Sequence, residues 1–365
     1  MQRHGSSKAG PGEILWDGFG LQSLHSGVGR HAWDLLKALE RASCSPRIIP
    51  SVPDLDPEFS PYVLPQVSSW PQSRIKPWAL FQSALWLKTH MKSRKGPCLV
   101  HGLSNYNVPA LKAPQLKRVL TVHDLIPILQ RREVSRALGL YLRYQLPRAV
   151  EAADAIICVS RWTESTLHEH YPASRGKTLM IPNGWPEARE KSPKHQSGSQ
   201  LLTISRWEPY KRLDLIPDIL KHLPASFRWT VVTDARGVEL LQSHADARLV
   251  LKTSLSEAAL HELHGSADLY VHPSLLEGFC LPAAASISSD VPVIFTRGSG
   301  IDEVVGEAGV GLSPGDSAAR WADAIQQLLA HPDRSGLCRR RHQSALSWDD
   351  VAARTCALYD KLGER

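Results

Sequence analysis

The chain has 365 residues, enough for two domains of comparable size and too many for one ordinary core. With 42% hydrophobic and 22% charged residues its composition is that of a soluble globular protein, and no apolar run is long enough to form a helix across a bilayer. The formal charge of +7 is uneven: residues 1–185 carry 23 Lys and Arg against 13 Asp and Glu, leaving +10 there and −3 on the rest, which points to an anionic membrane, an anionic lipid-linked acceptor or nucleic acid as partner.

In chain order, residues 1–12 have no apolar core behind their basic residues, so they read as a short leader and exclude a secretory signal. Ile14 to Asp17 is the first strand, followed by a Gly- and Ser-rich loop to Gly29 and a helix from Arg30 to Leu39 by the spacing of its apolar residues. Arg118–Val122 and Ala155–Val159 are short apolar runs of the kind buried on both faces of a sheet. A Lys-, Ser-, Pro- and Gly-rich stretch from Glu187 to Gln200 reads as a solvated linker. Beyond it, strands are expected at 201–204, 229–232, 269–272 and 291–295, and strands alternating with helices predict parallel βαβ units. Ser347-Trp348-Asp349-Asp350 is a capping-box variant that opens a last helix to about Leu362. The six cysteines lack paired spacing, so they read as reduced thiols of a cytoplasmic protein with no zinc framework.

Four stretches carry candidate chemistry. Ser26-Gly27-Val28-Gly29-Arg30 opens the first helix, where glycines allow close backbone approach and a helix start favours phosphate; a strand-to-helix turn without a ligand is an equal alternative. Thr121-Val122-His123-Asp124-Leu125 closes a buried strand, and strand ends of open α/β sheets are where ligands sit. A histidine satisfied by local hydrogen bonds is the plain alternative. His101 and Asn105, at the preceding strand end, are further candidates. In Ser205–Arg212, Arg206 and Lys211 stand five apart on one loop and suit a diphosphate, one as a planar fork and one as a mobile point charge; an exposed basic turn is the commoner origin of such pairs. In Ala267–Pro282 a buried strand runs into a tight loop and then a helix with Pro282 as its first residue. Backbone N–H groups of that helix start would face the loop, and Glu277 within it suits sugar hydroxyls better than phosphate alone.

In this order the segments resemble the retaining glycosyltransferases of family 4, which have the GT-B fold, over about residues 14–360. The resemblance implies two Rossmann-like domains whose parallel sheets face each other across a cleft: an acceptor domain at 1–185, joined by a crossing helix at about 347–365, and a nucleotide-sugar donor domain at 186–346. By the same resemblance, Gly27 and Gly29 lie beside the donor diphosphate and His123 faces the transferred sugar. Arg206 and Lys211 clamp the diphosphate, with Arg212 where a glycine is usual. Glu277 binds donor-sugar hydroxyls, and the backbone of Gly278, Phe279, Cys280 and Leu281 contacts sugar and phosphate. Asn183, in the segment entering the second domain, joins His101 and Asn105 as a cleft contact, and Asp302–Gly306 matches the segment after a donor-side strand. The family's second glutamate, which holds the ribose, is Ala285 here. Its loss removes a hydrogen bond to a charged group worth roughly 1.5–3 kcal/mol, and Ser286 or a backbone group is the substitute to look for.

The reaction implied is transfer of a hexose from a nucleotide diphosphate to a hydroxyl with retention. It is expected to need no cofactor beyond the donor itself and no metal, since fixed basic residues can take a metal's place. GDP-mannose is the favoured donor, and a glycan or lipid-linked acceptor of bacterial surface-polysaccharide synthesis the favoured acceptor. Residues 76–95 interleave Lys76, Trp78, Phe81, Leu85, Trp86, Lys88, Met91, Lys92, Arg94 and Lys95, and Arg131, Arg132, Arg136, Arg143 and Arg148 form a second basic stripe. Such stretches suit an anionic membrane surface, or else a helix with one face in the core. The expected place is the cytoplasm, peripheral to the inner face of the membrane. Three alternatives stand beside this reading: a weak or inactive relative that binds a ligand or partner, motivated by Ala285; a GT-B sugar-nucleotide epimerase, for which the acid/base set is missing; and nucleic-acid binding, for which no module or stacking platform is present.

Overall fold

The computed structural model describes residues 12–64, 76–93, 96–105, 107–108, 113–130, 136–189, 198–244 and 246–364. The chain divides into two compact units, one of Met1–Leu129, Val134–Gly184 and Trp348–Arg365, the other of Gln130–Glu133 and Trp185–Ser347.

The first unit alternates strands and helices: β1 (Glu13–Asp17), α1 (Gly27–Arg41), β2 (Arg47–Ile49), α2 (Lys76–Ser93), β3 (Cys98–Gly102), β4 (Leu116–Val122), α3 (Ile126–Leu129), α4 (Arg136–Ala152), β5 (Ala155–Cys158), α5 (Arg161–His170) and β6 (Thr178–Met180). Its six strands are parallel in the order β2-β1-β3-β4-β5-β6. Apolar runs such as Val119-Leu120 and Ile156-Ile157 are buried because helices cover both faces of a parallel sheet. The order reverses between β1 and β3, and the loops leaving those two strands diverge there.

The second unit contains β7 (Gln200–Ile204), α6 (Leu215–Lys221), β8 (Arg228–Val232), α7 (Ala235–Gln242), β9 (Leu249–Lys252), α8 (Glu257–Ser266), β10 (Leu269–His272), α9 (Leu281–Ser288), β11 (Val293–Thr296), α10 (Ile301–Val305), β12 (Gly309–Leu312), α11 (Ala318–Ala330) and α12 (Arg334–Gln343). Its parallel order, β12-β11-β10-β7-β8-β9, is the Rossmann arrangement with its switch point between β7 and β10. Trp229 is wholly buried there and donates to Thr203 Oγ1 at 3.1 Å, and Thr203 in turn donates to the Val271 carbonyl. A large apolar ring enters the core with its one polar atom satisfied.

The last helix, α13 (Trp348–Gly363), belongs to the first unit. It begins directly after Ser347, and its Trp348 lies so close to Gly184 that a Cβ there would stand 2.5 Å from the indole. Its Tyr359 is fully buried, with the hydroxyl accepting from Trp16 Nε1 at 3.2 Å. The expected strand at 291–295 starts later, at Val293, since Pro292 has no N–H for the ladder. Of the expected linker, 190–197 lie outside the described residues, as do Arg94, Lys95, Arg131 and Arg132.

Candidate active site

The second unit brings its charged groups together at the switch point. Lys211 follows β7 and Glu277 follows β10, and Lys211 Nζ donates to Glu277 Oε1 at 2.5 Å. His272, the last residue of β10, places Nε2 2.6 Å from the same oxygen. Its Nδ1 lies 3.2 Å from the Tyr270 hydroxyl, which donates its own proton to the Ile204 carbonyl. Tyr270 therefore accepts from Nδ1–H, so both ring nitrogens carry protons and His272 is an imidazolium. Burial by itself lowers the imidazole pKa, but the neighbouring Cys280 and Glu277 outweigh it and raise it to about 9. Burial likewise opposes the charges of Lys211 and Glu277, yet their mutual attraction prevails: the lysine pKa is raised and the carboxyl held well below the usual range. One carboxylate thus carries two cations, and the pocket keeps a net positive charge suited to an anion.

The backbone around Glu277 is clamped. Its N–H donates to Ser299 Oγ at 3.1 Å, and its carbonyl accepts from Gly300 N at 2.8 Å. Asp302 fixes that turn by accepting from Gly298 N and Ser299 N. A Cβ on Gly300 would lie 2.0 Å from the Gly278 carbonyl oxygen, so only glycine permits this approach. Cys280, at φ +77°, is the N-cap of α9, and Pro282 is the second helical residue, one place later than expected. Gly278 and Phe279 complete the loop, and Leu281 opens the helix.

Arg206 is exposed on the β7 loop, while Lys211 is turned into the Glu277 pair, so the two residues expected to form a clamp stand in different surroundings. Arg212 has φ +53°, the left-handed conformation in which glycine is usual, and its guanidinium donates to the Pro314 carbonyl at 2.7 Å. Ala285 is half-buried on α9. Ser286 does not replace the missing carboxylate. It is fully buried, donates to the Pro282 carbonyl, and lies 2.9 Å from His264 Nδ1.

In the first unit α1 begins at Gly27, so both glycines lie inside its first turn and not in the loop before it. Ser26 caps the helix by accepting from Gly29 N at 2.9 Å. A Cβ on Gly29 would lie 2.1 Å from the Ser23 carbonyl oxygen, whereas one on Gly27 would meet nothing within 4 Å. Gly29 is needed for the fold, and open space for a ligand exists only at Gly27. His123 is half-buried at the end of β4. Its Nε2 lies 2.8 Å from the Leu103 carbonyl and must carry the proton, which leaves Nδ1 as the acceptor. Burial, against a smaller opposing effect of that bond, lowers its pKa to about 4, so it is neutral at physiological pH. Asn105 accepts from His123 N at 2.7 Å and so orients the strand end.

His101 and Asn183 are placed otherwise than expected of cleft contacts. His101 is wholly buried, with Nδ1 2.6 Å from the Tyr359 hydroxyl and Nε2 2.8 Å from Thr121 Oγ1. Nδ1 ties α13 to the sheet, and Nε2 is bonded within the sheet to β4. Asn183 is buried 2.8 Å from Nδ1 of His31. His31 itself was not singled out from the sequence; its ring meets that of His123 edge-on, with centroids 4.7 Å apart, and its Nε2 is buried with no hydrogen-bond partner among the described residues.

The profile of "Glycosyltransferase Family 4" matches residues 25–189, and that of "Glycosyl transferases group 1" residues 198–331. The O-antigen chain mannosyltransferase RfbU of Salmonella typhimurium is 24% identical over 268 residues, 72% of this chain and 73% of its own length. Two further curated mannosyltransferases match over 64% and 28% of their own lengths. Sucrose-phosphate synthase of Thermosynechococcus elongatus superposes with a TM-score of 0.77 at 19% identity, covering 96% of this chain and 98% of that one. Anabaena HepE, solved with UDP and glucose, gives 0.73 at 15% identity, over 96% and 100%. Two parallel six-stranded α/β units of this kind are the GT-B fold, and the protein is a glycosyltransferase. It belongs to glycosyltransferase family 4.

Proposed function

We propose that the protein is a retaining glycosyltransferase that moves a hexose, mannose from GDP-mannose first, to a hydroxyl of a glycan or lipid-linked acceptor in surface-polysaccharide assembly. The observation that carries this reading is the convergence of Lys211 and His272 on Glu277 beside the start of α9. An incoming donor offers both partners a better arrangement: sugar hydroxyls take the free valences of Glu277, and the diphosphate takes Lys211. Arg206 adds a bidentate grip, and the first turn of α9 adds N–H dipoles. Charge grows on the departing diphosphate as the sugar becomes oxocarbenium-like, and cations fixed beforehand stabilise that state without reorganisation. His123, neutral with Nδ1 as acceptor, orients a sugar hydroxyl and does not act as an acid. Fixed cations do the work of a metal, so EDTA is expected to leave turnover unchanged.

In this reading residues 1–185 with the last helix bind the acceptor and 186–346 bind the donor. Relatives named as mannosyltransferases favour GDP as the carrier, while the UDP bound by HepE makes UDP the competing candidate. Ala285 motivates an inactive ligand-binding relative as a second reading, but the intact Lys211–Glu277–His272 cluster and the transferase relatives disfavour it. No described helix is long and apolar enough to cross a membrane. The protein is proposed to meet a lipid-linked acceptor from the cytoplasmic face, through α2. Calorimetric titration with GDP, UDP, ADP and dTDP, followed by turnover with the matching sugar nucleotide, tests the donor. Binding of one nucleotide, lost in Lys211→Ala and weakened in Arg206→Ala, is the expected result, and no binding of any would overturn the reading.

A further inference from the structure

The same loop assembles a donor set that sugar transfer does not call for. His272 ends β10, Glu277 lies in the loop, and Cys280 caps α9; all three are buried, and one ligand atom from each lies within 4.8 Å of the others. The cluster is held from outside. Tyr270 takes the Nδ1 side of His272, and the Cys280 carbonyl accepts from Ala283 N and Ala284 N at 3.1 and 3.3 Å. Ser299 and Gly300 pin the Glu277 peptide. Imidazole nitrogen, carboxylate oxygen and thiolate sulfur are three of the four ligands that zinc takes in tetrahedral sites. Sulfur and imidazole exclude magnesium and calcium, which take oxygen. The hydroxyl on Nδ1 is the outer partner that a ligating histidine requires.

We propose that His272 Nε2, Glu277 and Cys280 Sγ form a site for a soft divalent transition ion, zinc first, and that filling it stops transfer. The ion takes the place of the proton on His272 Nε2 and of any proton on the Cys280 sulfur, and these protons leave to solvent. Glu277 then bonds the ion instead of Lys211, so the carboxylate meant for the donor sugar is withdrawn. The metal site stands on the three side chains alone. The loss of transfer rests on Glu277 being the sugar-binding carboxylate, so the two are measured separately.

The full chain, reduced, is titrated with cobalt chloride and followed by absorption. One ion per chain is expected, with tetrahedral visible bands and a near-ultraviolet thiolate-to-cobalt charge-transfer band, displaced by zinc and indifferent to excess magnesium. Cys280→Ser should abolish the charge-transfer band, and His272→Gln should weaken cobalt binding by about tenfold or more. A band that survives Cys280→Ser places the cobalt on other cysteines and overturns the site, as does no band in the wild type. X-ray absorption of the zinc-loaded wild type needs no variant: one sulfur at about 2.3 Å with nitrogen and oxygen at about 2.0–2.1 Å is expected, and no sulfur shell refutes the site. Zinc should inhibit sugar transfer in competition with the donor, with relief by EDTA. Cobalt binding without inhibition overturns the regulatory claim alone, and a protein inert towards every donor overturns the transferase reading while the spectra still decide the site.

Discussion

Glu277 serves two cations at once, and that decides what its removal does. Glu277→Gln keeps the shape but leaves a lysine ammonium and an imidazolium side by side in a buried pocket. Breaking a buried pair in this way costs about 3 kcal/mol, read as a lower urea midpoint, and transfer should fall by roughly 10²–10³-fold as an electrostatic contact is lost. Lys211→Ala should cost similar activity, and an unchanged rate in either variant would refute the electrostatic role. Lys211 and Glu277 were each legible from sequence, one on a basic turn and one in a loop before a proline. Their pairing was not, since it joins residues 66 apart through the closeness of β7 and β10. His272 could have been found by the strand-end rule that singled out His123, because it is the last residue of an apolar run. His31 gave no such signal: it sits within a helix, and only the fold brings its ring to His123.

Elements aim these residues, and two glycines show how. Gly300→Ala would drive a methyl carbon into the Gly278 carbonyl at 2.0 Å, so the turn that clamps Glu277 must retreat. A shift of about 1 Å at a positioned group can cost 10²-fold, so this variant should lose transfer far more than its melting temperature suggests; normal kinetics would sink the clamp argument. Helix α2 is a different case. Trp78, Phe81 and Leu85 are exposed at helical spacing, Lys88 and Lys92 continue the stripe, and Trp86, Leu87 and Met91 on another face are buried. Among the described residues α2 thus has a core face and an exposed aromatic-and-basic face, and the membrane reading of that second face is open to test. Trp78→Ala with Phe81→Ala should reduce co-sedimentation with anionic vesicles at low salt, and vesicle binding unchanged by that pair would remove α2 as the contact. The buried strands were easy to read because a parallel sheet covered on both faces demands continuous apolar runs. The start of α1 was harder: glycine usually marks a loop, and here Gly29 lies within the helix because Ser23 and its carbonyl press against the first turn.

On the scale of the whole chain, the two units differ in how they hold their buried histidines: those of the first are kept neutral, while the second has both a neutral one, His264, and a charged one, His272. In the first unit burial lowers the pKa of His101 to about 3 and of His123 to about 4, and that of His31 well below normal; in the second unit it lowers that of His264 to about 3. A group held neutral when folded takes up its proton on unfolding below the ordinary histidine pKa of about 6.5. The unfolded chain then binds more protons, so stability rises with pH across this window and falls as pH drops from about 6.5 towards 4, by up to about 1.4 kcal/mol per pH unit for each such histidine. Asp17 and Asp34, whose pKa values burial raises, act in the opposite direction. His272 has the reverse sign: with its folded pKa near 9, its contribution is complete below about 6.5 and is lost as pH rises through 9. Among the described residues, three neutral histidines against His264 make the first unit the more acid-sensitive part, while His272 adds to the second a loss of stability at alkaline pH. Calorimetric melts between pH 6.5 and 5 should therefore show the transition of the first unit falling faster than that of the second, and His123→Gln should flatten the slope. Two transitions moving in parallel down to pH 5 would mean that these histidines are not held neutral in the fold, and with that the role given to His123 as a neutral acceptor would fail too.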